Sequence, residues 1–378
     1  MAGAAAPSGY AWPVAPYRVG IVGLGRMGST IGDEGHHQYA PFAIAAACSA
    51  SPLLEVVAGC DLLAERRSAF AARWGVDAVY EDAGEMLAAE SLDMVAICTT
   101  ASGLLKPADR AIDHAFRGDA HADLTVAAVE AGLPMVYVEK AMASSLERAD
   151  EVRDAVHAAS AAFNSGVLRR FDRHYQQVRD AIAEGVIGDP IAVVHYAPTT
   201  LLHGHIHSID TISLLLGDPP IDRVRGELVS PASASDGRHV AADPRATYQL
   251  RFTTGVEAWS VPAAYWEFEV IGAVGSIRSL DNGEAVVLRS GDRDAPGSWR
   301  QRPMPEQAEA QAGEDRGPVV ACLEDLVAEH EGHGPTLGNV ALTHHITEAC
   351  LAVAESHLAG GGWLSLPLER RDLYVFHI

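Results

Sequence analysis

The stretch Arg18-Val19-Gly20-Ile21-Val22-Gly23-Leu24-Gly25-Arg26-Met27-Gly28 decides the fold. Its first half is a short aliphatic run of the kind that forms a buried strand, and its second half spaces glycines as GxGxxG. At that spacing the first glycine permits a tight turn, the second lets the backbone approach a pyrophosphate, and the third lets a helix pack closely on the strand. The amides that open the following helix then face the phosphates. Glycines also mark ordinary turns, so the motif is read with its surroundings. A second strand over 55–60 ends in Asp61, whose carboxylate can accept hydrogen bonds from both hydroxyls of an adenosine ribose and repels a 2′-phosphate. NAD is therefore favoured over NADP. The competing reading of Asp61 is a cap for a helix over 62–74. The stretch from Gly28 to Asp61 exceeds the usual ~20 residues, which implies an insertion within 29–54.

From residue 17 onward, short apolar runs alternate with helix-length segments, the rhythm of parallel strands joined by crossover helices. Strands are expected over 18–22, 55–60, 94–98, 135–138 and 162–167. Ser144 and Ser145 can cap a helix that runs to Ala159, with Glu147 in its first turn. Two connections, 29–54 and 99–123, are longer than a crossover needs, and both leave the carboxyl edge of the sheet, where ligands bind. Beyond Arg170 the texture changes. An amphipathic helix over 175–184, closed by Gly185, leads into strand-like runs over 191–196, 246–253, 256–261, 266–271 and 285–288, interrupted by a helix over 206–216. A polar stretch over 303–318 reads as an exposed loop, and two helical patterns and a short apolar tail end the chain. The expectation is an α/β protein: a loose tail over 1–16, a Rossmann domain with a doubly wound parallel sheet over 17–170, and an α+β domain with a large, mostly antiparallel sheet over 171–378.

At 378 residues, two domains are the default. The 28 basic against 50 acidic residues give a net charge of -22, which repels nucleic acid and anionic membrane surfaces. Five scattered cysteines make no disulfide framework or CxxC metal site. No basic segment followed by a long apolar run opens the chain, and no apolar run reaches the roughly 20 residues of a membrane helix. A cytoplasmic location is expected.

Two groups of residues carry candidate chemistry. Glu139-Lys140-Ala141 ends the 135–138 strand, so Lys140 projects at the edge where a nicotinamide would lie. A lysine buried beside a positive ring loses proton affinity and becomes a usable acid or base; the alternative is a surface lysine at a strand end. In the second half, His203-Gly204-His205-Ile206-His207-Ser208-Ile209-Asp210 places His203, His207 and Asp210 on one face if a helix begins near His203. An imidazole there suits proton transfer to a hydroxyl that gains or loses hydride. His205 can instead be a solvated loop residue and His207 a satisfied core histidine. Histidines at i and i+4 can also ligate zinc, but no third ligand is fixed by spacing, and no metal is expected. His36, His37, His344 and His345 look locally like surface histidines.

Taken together, these residues resemble the Gfo/Idh/MocA oxidoreductases, which include glucose-fructose oxidoreductase and inositol dehydrogenase. The likeness runs from about Tyr17 to Leu366. It is carried by the glycine loop, Asp61, Cys98-Thr99-Thr100, the helix from His121 to Gly132, Glu139-Lys140-Ala141 in place of an EKP motif, and Arg169-Arg170-Phe171-Asp172. Gly185 to Gly188, His207 to Asp210, Gly272 to Ser276 and Glu355-Ser356 follow in the expected order. The resemblance implies hydride transfer between NAD and a secondary alcohol or ketone of a sugar, glycoside or cyclitol. It assigns Gly23, Gly25, Arg26, Met27, Gly28, Asp61, Thr99, Thr100, Glu139 and Lys140 to the cofactor, and Lys140, Arg170, His203 and His207 to the substrate. Lys140 would hydrogen-bond the reacting hydroxyl and His207 would be the general acid/base, with His203 beside them. Two departures stand out: His203 occupies a position where relatives commonly carry aspartate, and Ala141 replaces the proline of EKP. The long connections would reshape the pocket, with Arg110, His114, His36 and His37 as contributors, or extend a subunit interface. A homodimer or homotetramer through the open sheet is implied. Reduction of a C=N bond or another carbonyl, and a non-catalytic nucleotide- or sugar-sensing protein, are the alternatives.

Overall fold

The computed structural model describes residues 15–35, 41–100, 119–229, 237–240, 242–291, 298–305 and 316–376. His36, His37, Arg110 and His114 lie outside them, as do nearly all of 1–16 and most of 99–123.

The N-terminal strands are β1 (Tyr17–Val22), β2 (Leu54–Cys60), β3 (Val79–Tyr80), β4 (Met94–Ile97), β5 (Met135–Val138) and β6 (Ala162–Ser165). They form one parallel sheet in the order β3-β2-β1-β4-β5-β6. Around it lie helices α1 (Ile44–Ala50), α2 (Ala64–Trp74), α3 (Ala83–Ala89), α4 (Ala120–Glu130) and α5 (Leu146–Ala159). This is the doubly wound Rossmann arrangement. Both faces are covered, so the strands are apolar throughout: Met135 and Tyr137 enter one core while Val136 and Val138 enter the other. Ser145 caps α5 as expected, its hydroxyl accepting the Arg148 amide.

Register fixes where the site can be. Val22 is level with Cys60 and Ile97, Ile97 with Val138, and Val138 with Ser165. The chain therefore leaves the sheet along one edge at Gly23, Asp61, Cys98, Glu139 and Gly166.

The helix expected straight after the glycine loop is broken. A π-turn (Arg26–Thr30) and a 3-10 turn (Ile31–Glu34) come first, and α1 starts only at Ile44. The turns are stapled down: Arg26 pairs with Glu34 at 2.5 Å, Arg73 of α2 with Asp33 at 2.6 Å, and Trp74 Nε1 donates to Ser29 Oγ at 2.9 Å.

The second sheet is built from β7 (Pro190–Tyr196), β8 (Ile221–Leu228), β10 (Ala246–Phe252), β11 (Glu257–Val261), β12 (Glu267–Gly272), β13 (Gly275–Leu280), β14 (Ala285–Ser290), β15 (Arg300–Arg302) and β16 (Leu364–Ser365). Its order is β15-β14-β13-β12-β7-β11-β10-β8-β16, with β7 and β11 parallel and the other pairs antiparallel. Strands β9 (His239–Val240) and β17 (Tyr374–Val375) pair separately. Helices α6 (Arg173–Ala183), α7 (Ile206–Leu216) and α9 (Val340–Leu358) pack on one face of the large sheet. Its β8 and β13 were not anticipated. In β8 the inward position between Val224 and Leu228 is Gly226, where an added Cβ would sit 2.4 Å from Val353 Cγ1 of α9, so the apolar alternation is interrupted. In β13 the inward residues flanking Ile277 are Gly275 and Ser279, which hides the strand in the same way.

One helix of the 171–378 stretch packs on the N-terminal sheet. Helix α8 (Pro318–His330) returns to the parallel sheet, where Val319, Val320, Leu323 and Leu326 join the core of Val19, Ile21, Met94 and Tyr137. The broken helix leaves α1 only seven residues long, and α8 packs beside it on that face. His344 and His345 are also not ordinary surface residues: His344 Nε2 meets Asp150 at 2.8 Å and His345 Nε2 accepts the Ile221 amide at 2.9 Å.

Candidate active site

The glycine loop has the geometry its spacing requires. Gly23 adopts φ +91°, and a Cβ there would lie 2.6 Å from Cys98 C and Thr99 N. At Gly28 a Cβ would lie 2.1 Å from Gly23 O, while at Gly25 the nearest atom is Arg66 Nη1 at 3.4 Å. The first and third glycines thus hold the turn against the sheet, and the second leaves its face open. Gly28→Ala is expected to cost about 1–3 kcal/mol of stability by overpacking and to weaken NAD binding, read by thermal melting and fluorescence titration. Unchanged NAD affinity would show that the loop tolerates a shift.

Asp61 ties the glycine loop to the segment that leads into α2. Buried at the end of β2, its Oδ2 accepts the Leu24 amide of the glycine loop at 2.9 Å, and its Oδ1 accepts the Leu63 amide ahead of α2 at 2.9 Å. Arg66 Nη1 also reaches Oδ2 at 3.5 Å; a carboxylate has about four acceptor sites, so one is left for a ribose hydroxyl. Beside the loop, a cavity of about 390 Å³ opens between Leu24–Thr30 and the α2 residues Arg66, Phe70 and Arg73. Arg26 is exposed, Met27 is half-buried, and Thr100 is exposed at the last described position before 119. Thr99 Oγ1 is shielded from solvent without a partner. An open glycine face, a carboxylate with one acceptor site left and an unpartnered hydroxyl fit a dinucleotide. A larger cavity of about 490 Å³ lies on the outer face of the large sheet, at Arg225, Tyr248 and Trp259, away from this chemistry.

At the next strand end, Glu139 is enclosed. Its Oε1 accepts the Tyr137 hydroxyl at 2.5 Å, and Gly166 leaves room for its other oxygen. The Glu139 side chain, expected beside the cofactor, is therefore held in the interior by Tyr137. His121, at the start of α4, bridges the Ala141 carbonyl (2.7 Å) and the Thr99 carbonyl (2.8 Å), tying the lysine's strand end to the neighbouring loop.

Lys140 is turned inward across the domain boundary. Its Nζ lies 3.1 Å from His203 Nδ1 and 3.3 Å from His203 O. Burial lowers its proton affinity; Glu139 and Asp243 work against this, and Arg26 and Arg169 add to it. Burial likewise holds the His207 imidazole well below its ordinary range, helped by Lys140, Arg169 and His203. His203 sits in a π-turn (Leu201–His205) that precedes α7, and Asp243 caps that turn by accepting the amides of Leu202 and His203, each at 2.8 Å. The structure thus brings together Lys140, His203 and His207. Among the described residues, no group of three or more His, Cys, Asp or Glu side chains is placed to hold a metal ion.

Three expectations are corrected. Arg170 does not face the cleft: it is 1% exposed, donating to Asp210 at 2.7 Å and to Asp218 at 2.8 and 3.0 Å. Asp210 consequently turns away from His203 and His207. His205 is the satisfied core histidine, bonded to Ala246 O at 2.8 Å and Ser208 Oγ at 3.0 Å, with burial pushing it down to about 4.

Sequence reasoning missed Arg169, Trp266, Asn282 and Asp243. Arg169 stands where Arg170 was expected, with Nε and Nη2 donating to Asn282 Oδ1 at 3.0 and 2.5 Å and its guanidinium 4.5 Å from the Trp266 ring. Trp266 in turn meets the His207 ring edge-on at 6.2 Å. The arginine doublet was visible, but consecutive side chains of the 3-10 turn Leu168–Phe171 diverge by about 120°, and the sequence does not say which points inward.

Residues 17–167 match the model of the family described as "Oxidoreductase family, NAD-binding Rossmann fold", GFO_IDH_MocA. The 1,5-anhydro-D-fructose reductase of Ensifer adhaerens is 29% identical over 59% of this chain and 67% of its own length. Inositol 2-dehydrogenase 1 of Saccharopolyspora erythraea is 27% identical over 89% of this chain and 94% of its own. For other inositol dehydrogenases the match spans about half of the relative, 55% or 42%. The crystal structure of an NAD binding oxidoreductase from Klebsiella pneumoniae superposes with a TM-score of 0.72 at 18% identity, covering 94% of this chain and all of that one, which shows the same fold.

Proposed function

We propose, because residues 17–167 match the NAD-binding Rossmann model of the Gfo/Idh/MocA oxidoreductases, that this chain uses NAD to interconvert a secondary alcohol and a ketone on a sugar, glycoside or cyclitol, with Lys140 and His207 handling the hydroxyl proton. The observation that carries this reading is the approach of Lys140 Nζ to His203 Nδ1 at 3.1 Å, at the edge where the glycine loop also emerges, with His207 one helical turn on. Relatives with 1,5-anhydrofructose and inositol in their names support the substrate class.

When bound, NAD supplies the carbon that accepts hydride from the carbinol. Gly23, Gly25 and Gly28 would hold its pyrophosphate, Asp61 its ribose, and Thr99 the end nearer the reaction. Lys140, protonated, donates to the substrate oxygen and stabilises the charge that builds there. His207, neutral, accepts the hydroxyl proton. His203 fixes the lysine through its ring and carbonyl. Appearance of NADH across a panel of cyclitols, sugars and glycosides tests the proposal; NAD binding without turnover on any of them would reject it.

The pH profile follows from these roles. Alcohol oxidation needs His207 neutral and Lys140 protonated, so kcat/KM should be flat above 6.5, because burial places His207 well below that value. It should fall on an alkaline limb below 10.5, because burial lowers Lys140 from there. Ketone reduction needs His207 protonated and should gain towards acid. In Lys140→Arg the alkaline fall should leave the accessible range, since arginine stays charged to about pH 12. A fall that survives this substitution would reject Lys140.

We further infer a homodimer or homotetramer through the uncovered face of the large sheet, where Ile191 is 57% exposed, with size-exclusion light scattering as its test. Among the described residues no helix is long and apolar enough to cross a membrane. The cytoplasmic assignment rests on composition.

A further inference from the structure

The charges that face the cleft do not balance. Each carboxylate around it is engaged elsewhere: Glu139 with Tyr137, Asp210 with Arg170, and both oxygens of Asp243 with backbone amides. The two cations meet neutral partners instead. Lys140 Nζ faces the ring and carbonyl of His203, and Arg169 is held by the amide oxygen of Asn282 and stacked on Trp266. Among the described residues neither forms an ion pair with a carboxylate. Lys140 still feels Glu139 and Asp243 at longer range; in a chain of net charge -22, a partly shielded Arg169 without a carboxylate among the described residues is a poor arrangement for its own sake.

Arg169 is also built to be rigid. Its Nε and Nη2 converge on one oxygen, Asn282 Oδ1. Asn282 sits at φ +58° and bonds its own amide to Trp266 O at 3.2 Å, so the residue that holds the guanidinium also holds the ring beneath it. The constraint uses one edge of the fork and leaves Nη1 for a partner. Trp266 lies against His207, which puts Arg169 on the proton-transfer side of the cleft rather than beside the glycine loop. A charge there would meet substrate, not pyrophosphate.

We infer that the substrate is a polyhydroxylated compound carrying a carboxylate, a uronate or aldonate rather than a neutral sugar or cyclitol, and that Arg169 binds the carboxylate. This rests on the dehydrogenase reading above and narrows its substrate. Guanidinium and carboxylate match in planar geometry and form charge-assisted hydrogen bonds. The tripod of Arg169, Lys140 and His207 then fixes the acid group, the reacting oxygen and the departing proton in one orientation.

The test uses matched pairs that differ only in CH₂OH against COO⁻: glucose with glucuronate, galactose with galacturonate, glucitol with gluconate. Turnover with NAD and equilibrium binding to the NAD-loaded protein are both measured. The carboxylate member of at least one pair should be preferred about 10- to 100-fold, through KM, and Arg169→Gln should collapse that preference towards unity while Arg169→Lys keeps part of it. Equal use of both members, or a preference that survives Arg169→Gln, overturns the inference and leaves the dehydrogenase reading intact. Carboxylate binding that depends on Arg169 without turnover would support the inference and reject the dehydrogenase reading. If no carboxylate binds, or if Arg169→Gln weakens NAD by the same factor, the cation does not serve the substrate and the inference fails.

Discussion

Lys140→Ala is expected to lower kcat/KM by about 10²- to 10⁴-fold, the range for removing a group that acts on the transferring proton and the developing charge. The lysine sits where both sheets contribute to the cleft: its strand end comes from the parallel sheet, and its partner His203 from the turn before α7. It carries its charge in a setting where burial makes that charge costly and lowers proton affinity, so its interaction with a growing alkoxide is stronger than in water. The loss should appear in kcat rather than in NAD affinity, because the glycine loop and Asp61 are built from other strand ends. Steady-state kinetics with parallel cofactor titration separates these outcomes. A variant with normal kcat would remove Lys140 from the chemistry.

Arg170→Ala should have the largest effect on stability, about 3–5 kcal/mol, the cost of removing one member of a buried ion pair. The guanidinium is enclosed and donates to Oδ1 of Asp210, which lies in the middle of α7 at 2% exposure, and reaches Asp218 just beyond the helix. Without it, Asp210 is a buried carboxylate lacking its cation, and burial raises the pKa of such a group. A carboxylate whose folded pKa lies above its unfolded one loses stability as pH rises through the folded value. The variant should accordingly be less impaired near pH 5 than near pH 8. Chemical denaturation at the two pH values measures this. Arg169→Gln, one residue away, should shift stability far less, because Arg169 donates to a neutral amide and lies partly open to the cleft. Equal destabilisation by the two would contradict the division of labour drawn between them.

That doublet also shows what was legible in the sequence and what was not. The parallel sheet could be read because strands buried on both faces are continuous apolar runs, and the glycine loop because its turn admits few other residues at Gly23 and Gly28. Lys140 could be placed because a strand end determines an edge. Strand β8 escaped because its inward position is Gly226, emptied by α9, and the packing of α8 on the parallel sheet was not legible because a helical pattern carries no mark of the sheet it returns to. At the site, Asp243 and Asn282 come from turns remote in sequence, and their roles exist only through contacts with Leu202, His203 and Arg169. His203 stands where the resemblance implies an aspartate. In the folded chain Asp243 supplies a carboxylate to the same turn, through its amides.

The most direct test of the central claim is to incubate the protein and NAD with a polyhydroxylated substrate deuterated at its carbinol carbons and to follow the label. Deuterium should appear in the reduced nicotinamide, and the transfer should all but stop in Lys140→Ala while NAD stays bound. Label that stays on the carbinol carbon or is lost to solvent, with NAD bound, would contradict it.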